Sequence, residues 1–143
     1  VIPATASIGG TLRTMNADTR LRMIAEIETT AKNAAATLGC DISMELRPGY
    51  PPTLNHESDA LFARDIITEM LGADGLETSM TPVMGAEDFS FMLEKKPGAY
   101  IWLGAGLQSE NLHSPHFDFN DDLLPIGASF WVQLAQSKLA QST

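Results

Sequence analysis

The stretch Asn111 to Asp122 concentrates residue types that do chemistry. It holds two of the chain's three histidines, His113 and His116, beside Asp118, Asp121 and Asp122, with Pro115 fixing a turn. A neutral imidazole ligates metals and moves protons near neutral pH. The stretch follows an apolar strand-like run, Ala99–Leu103, closed by Gly104-Ala105-Gly106, and precedes a helix-like segment from about Asp122. A loop between a buried strand and a helix can hold a histidine rigidly while presenting it to a cleft. A lone loop histidine also serves as an ordinary surface or hydrogen-bonded residue, so both readings of His113 stand at this point.

Other candidates are scattered. Met84-Gly85-Ala86-Glu87-Asp88 reads as a turn into a short helix. In one reading Gly85 makes the turn and the acids favour the positive end of the helix dipole. In the other, the glycine lets a substrate approach the backbone, where the helix start offers free N–H donors. Arg13 is a lone base on the polar side of a strand-like segment, and by itself reads as a solvated charge. His56 falls in a first helical turn and reads as surface; His116 reads as packing or capping near Asp118. Nucleophile-elbow, phosphate-loop, His-Glu-x-x-His and dinucleotide fingerprints are missing from the sequence. A catalytic zinc takes about three protein ligands, and His113 is the one serious candidate, so this stretch of chain is not expected to hold a complete site.

The elements that position these residues follow from periodicity. Ser7–Thr14 reads as a strand. A helix follows, with Asn16 or Asp18 as cap, Leu21, Ile24, Ala31, Ala35 and Leu38 returning at helical spacing, and Gly39 ending it. Cys40–Arg47 alternates, with Cys40, Ile42, Met44 and Leu46 on one side, as a half-buried strand does. Pro48-Gly49-Tyr50-Pro51-Pro52 breaks both patterns and marks a linker. Asn55 is placed to cap a second helix through Leu61, Phe62, Ile66, Ile67, Met70 and Leu71, ending at Gly72. Glu77–Val83 is a weaker strand, and Lys95-Lys96-Pro97-Gly98 stops the short helix after Asp88. The last helix carries Pro125 in its first turn and presents Ile126, Phe130, Val132, Leu134 and Leu139 as its buried side. Helices alternating with apolar strands predict an α/β fold.

Composition narrows the function. The chain has 143 residues with a net charge of −9, from 18 acids against 9 bases. That balance disfavours nucleic acid and anionic membranes as partners. No apolar run is long enough to span a bilayer. The start, Val1-Ile2-Pro3, lacks both a secretion signal and an initiator methionine, and reads as a piece of a longer chain or a processed product. One cysteine, Cys40, allows no internal disulfide and fits a reducing, cytoplasmic location.

Taken in order, these segments resemble the C-terminal part of the M20 metallopeptidases. The likeness is to the amidohydrolase branch of hippurate hydrolases, N-acyl-amino-acid amidohydrolases and auxin-conjugate hydrolases. Val1-Ile2-Pro3 with Gly10-Thr11-Leu12-Arg13-Thr14 is similar to the family's Asn-Val-Ile-Pro and Gly-Thr-x-Arg segments. Met84-Gly85-Ala86-Glu87-Asp88-Phe89 is similar to its glycine-acid turn. Leu112-His113-Ser114-Pro115-His116-Phe117, with Asp118–Asp122 and Leu124-Pro125-Ile126-Gly127, is the most specific match. The resemblance implies that residues 1–50 are the second half of a small α+β lid, which carries dimerisation. Residues 54–143 would close an α/β catalytic domain of the zinc-peptidase type. It further implies two divalent ions (zinc, manganese or cobalt), His113 as a metal ligand, Arg13 gripping the carboxylate of an N-acyl amino acid, and Gly85 lining the substrate site. The remaining ligands and the general-base glutamate have no counterpart here, so no catalytic residue is assigned and the stretch alone is expected to be inactive. The competing expectation is a non-catalytic dimerisation or ligand-sensing module.

Overall fold

Helix signals in the sequence are strong, and each expected helix forms. The computed structural model describes residues 1–140, with helices α1 (Ala17–Leu38), α2 (Glu57–Leu71), α3 (Phe89–Lys95) and α4 (Leu123–Ala140) and a single 3-10 turn at Ala73–Gly75. Asn16 starts α1: its side-chain oxygen accepts from the N–H groups of Asp18 and Thr19 at 2.8 and 3.1 Å, satisfying two of the orphan donors of a first turn. Gly39 ends it at φ 67°, its N–H donating to the Ala35 and Ala36 carbonyls, a left-handed position that glycine adopts without strain. Gly72 closes α2, and Lys95 occupies the last turn of α3.

The expected α/β layering is not formed. Among the described residues no segment is a strand, so Ser7–Thr14, Cys40–Arg47, Glu77–Val83 and Ala99–Leu103 are corrected to irregular chain. A strand is defined by ladder bonds to a neighbour, and the causes of their absence differ along the chain. From Ser7 to Thr14 and from Asp41 to Arg47 no backbone-to-backbone hydrogen bond forms among the described residues. Ile42, Met44 and Leu46 nonetheless line one groove with Ile24 and Ala31 of α1, which is the side that the alternation predicts. In Glu77–Val83 the Glu77 carboxylate accepts from both the N–H and the hydroxyl of Ser79 at 2.5 Å, a local side-chain bond that competes with a ladder. At Ala99–Leu103, the backbone at Gly98 and Tyr100 is already engaged by Asn55 and His56.

The chain divides into two compact units, Val1–Thr53 with Pro82–Met92, and Leu54–Thr81 with Leu93 onward. In the first, Ala35 of α1 and Ser90 of α3 are buried. In the second, Ala63 and Ile66 of α2 pack on Phe130 of α4, flanked by Phe62, Ile67, Met70, Ile101 and Leu134. Ile126 of α4 is half-buried, but Val132 and Leu139, expected on its buried side, are 55% and 71% exposed. They share an outer face with Leu124 and Trp131, so α4 is apolar on two sides, and a helix apolar all round belongs in a core. The accessible surface is 12028 Å², whereas two compact bodies sharing this mass equally would expose about 8,700 Å². Large apolar side chains contribute to that surface, Leu124, Trp131, Val132 and Leu139 of α4 among them.

Candidate active-site elements

His113 sits in a strained turn. It is the one non-glycine residue at positive φ, 70°, among the described residues. Ser114 N–H donates to the Asn111 carbonyl at 3.0 Å, which makes His113 the third residue of a tight turn with the sign pattern of type II, where glycine is the usual occupant. A second turn follows at once, Phe117 N–H to Ser114 O at 3.1 Å, while Ser114 Oγ accepts from His116 N–H. A left-handed backbone at a residue with a Cβ costs about 1–3 kcal/mol and persists only where surrounding bonds enforce it. The imidazole is exposed. Asn120 anchors the far end of the loop: its side chain accepts from Asp122 N–H at 3.1 Å and donates to the Ala105 carbonyl at 3.4 Å. The start of α4 is thereby tied to the glycine-rich end of the preceding segment.

Among the described residues no three His, Cys, Asp or Glu side chains converge on one point. His116 is also exposed.

Arg13 and the glycine-acid turn, expected separately, come together. The Arg13 Nη1 donates to the carbonyl of Met84, so the guanidinium rests on the Met84–Gly85 peptide. The side chain is exposed, and no carboxylate lies within ion-pair reach among the described residues. The rest of its planar fork remains available for a carboxylate, the partner that it binds bidentately. Gly85 has neither a positive φ nor crowding: an added Cβ would meet only Val83 Cγ2, at 3.9 Å. The backbone there does not sterically require glycine, and it is exposed. The acids follow the helix-start reading only in part, because Glu87 and Asp88 precede α3 and serve it through their carbonyls. Ser90 N–H and Phe91 N–H donate to Glu87 O and Asp88 O at 3.2 and 3.0 Å, and Ser90 Oγ donates to Glu87 O at 2.5 Å.

His56 departs from its surface reading. It is the N-cap of α2 without a capping side-chain bond, half-buried, and its Nδ1 accepts from Gly98 N–H at 3.2 Å while its own N–H donates to Gly98 O at 3.0 Å. Asn55 does not cap α2. Its amide donates to Tyr100 O at 2.8 Å and accepts from Tyr100 N–H at 2.7 Å, standing in for the peptide group of a neighbouring strand. Neither this clamp nor the role of Asn120 was expected, because each partner lies far along the chain, at Tyr100 and Ala105.

The first unit thus carries an exposed arginine seated beside an uncrowded glycine, and the second a histidine held in a left-handed turn. The chain belongs to the peptidase family M20/M25/M40, whose description matches residues 4–137. It is 32% identical to an IAA-amino acid hydrolase of Arabidopsis thaliana, over 99% of this chain and 34% of that protein. It is 32% identical to the hippurate hydrolase of Campylobacter jejuni, over 94% of this chain and 35% of that protein. An N-acetyldiaminopimelate deacetylase of Streptococcus suis is 33% identical over 87% of this chain and 33% of its own length. The chain thus spans about a third of the length of the curated relatives that it matches. By name these relatives are two hydrolases and a deacetylase.

Proposed function

We propose that this chain is the C-terminal part of a metal-dependent amidohydrolase that cleaves the amide bond of small N-acyl amino acids. The observation that carries the reading is the Arg13 guanidinium, seated on the Met84–Gly85 peptide with no carboxylate in ion-pair reach among the described residues. The free α-carboxylate of an N-acyl amino acid fits that fork, and a carboxylate held there would bring the adjoining amide against open backbone at Gly85. His113 would give one neutral ligand to a pair of divalent ions, zinc, manganese or cobalt, with the other ligands and the general base coming from the rest of the protein. When bound, such ions acidify a water and polarise the scissile carbonyl. The exposed apolar face of α4 would pack against that remaining chain, and residues 1–50 would complete a lid through which two copies pair. Sedimentation of the full-length protein as a monomer at high concentration would count against the pairing. Among the described residues no helix is long and apolar enough to cross a membrane, and the free thiol of Cys40 supports a reducing, cytoplasmic setting.

The test compares Arg13→Lys with the parent full-length enzyme on N-benzoylglycine and on N-benzoylglycinamide, which lacks the carboxylate. A point charge replacing the fork should lose roughly 1.5–3 kcal/mol of transition-state binding on the acid. The amide should be nearly indifferent, and equal losses on both substrates would make Arg13 structural.

A further inference from the structure

We infer that Tyr50 is a positioning residue for the carboxylate fork, acting through Phe91 and the Met84–Asp88 turn; this rests on the amidohydrolase reading of Arg13. The proline-rich stretch around Tyr50 is not a loose tether. Its ring meets the Phe91 ring edge-on, with centroids 5.7 Å apart and planes at 79°, the geometry that aromatic quadrupoles favour. Its carbonyl accepts from Arg20 Nη1 of α1 at 3.3 Å. Tyr50 therefore links the first turns of α1 and α3.

The turn that carries Gly85 is held at both ends by these contacts. At its leading end the Met84 carbonyl accepts from Arg13. At its trailing end the Glu87 and Asp88 carbonyls accept from Ser90 and Phe91 as α3 begins, with Ser90 wholly buried. Phe91 lies one turn of helix beyond Asp88, so a shift of its ring tilts the start of α3 and moves the Met84 carbonyl on which Arg13 is seated. Truncating Tyr50 frees one side of that helix start. The guanidinium keeps its charge but loses its fixed direction, and a bidentate grip depends on direction more than a point charge does. Tyr50 thus sets the preference for substrates with a free carboxylate without touching the substrate.

The experiment measures kcat and KM of the full-length enzyme for N-benzoylglycine and N-benzoylglycinamide, with Tyr50→Ala, Tyr50→Phe and Phe91→Leu. Tyr50→Ala should raise KM for the acid about 3- to 10-fold, the range expected for one aromatic pair, with kcat and both constants for the amide little changed. Tyr50→Phe keeps the ring and should restore the parent KM; Phe91→Leu should reproduce the Ala phenotype. Equal changes on acid and amide, an unchanged KM, or no rescue by phenylalanine would overturn the assignment. Should Tyr50→Ala fail to fold, Phe91→Leu decides alone. Arg13→Lys is run beside them. If it discriminates acid from amide and the Tyr50 and Phe91 variants do not, this inference fails while the amidohydrolase reading stands. If Arg13→Lys does not discriminate either, the underlying reading has failed first.

Discussion

Replacing His113 by glycine and by alanine separates its backbone from its side chain. The native residue occupies φ 70°, where a Cβ costs about 1–2 kcal/mol. Glycine removes that cost but adds about 0.5–1 kcal/mol of unfolded-chain entropy. The balance is about 0–1.5 kcal/mol in favour of glycine, so that variant should be at least as stable as the parent. Alanine keeps the strain and, with the imidazole exposed, should fall within about 0.5 kcal/mol of the parent. Metal affinity should behave oppositely. Outer-shell partners alone are worth about 10- to 100-fold in metal affinity, so deleting a ligand should weaken one of the two ions by more than about 100-fold in either variant. Denaturant unfolding of the metal-free full-length protein gives stability without the contribution of bound ions, and competition titration gives the metal constants. Destabilisation of the glycine variant by more than about 1 kcal/mol, or full metal content in either variant, would refute the argument.

Two further outcomes follow from the same geometry. Gly85→Ala should leave stability unchanged or slightly raised, since space exists for the Cβ and the backbone is unstrained, while raising KM for N-acyl amino acids. Loss of folding by that variant, seen in a melting curve, would restore the purely structural reading. Hydrogen bonds from the Ser79 side chain and N–H to the Glu77 carboxylate hold its pKa below the ordinary glutamate value. A depressed carboxyl contributes stability that is present above its unfolded value and is lost as pH falls through the folded one. NMR titration of Glu77 should show the lowered midpoint, and Ser79→Ala should raise it; a midpoint unmoved by that change would contradict the assignment.

What the sequence revealed depended on how local each feature is. Asn16, Gly39, Gly72 and Lys95 act within one turn of their own helices, so residue type and spacing were sufficient. Strands were not legible as structure, because alternation reports which side is apolar and says nothing of the hydrogen-bonding neighbour. Ile42, Met44 and Leu46 turn toward α1 as their alternation requires, yet no ladder holds them. Asn55 looked like a cap and instead bonds the backbone at Tyr100, 45 positions away. At the candidate site, Arg13 and the Met84 carbonyl are 71 positions apart, and nothing local to either announces the other. The left-handed backbone of His113 was equally hidden, because turn chemistry assigns that position to glycine.

Metal-dependent amide hydrolysis is decided by amino-acid release from N-benzoylglycine by the full-length protein, before and after chelation and again after adding back zinc, manganese or cobalt. Hydrolysis is expected that chelation abolishes and at least one of these ions restores. Hydrolysis that survives complete removal of metal, or no release from N-benzoylglycine or any other N-acyl amino acid with the metals present, would contradict it.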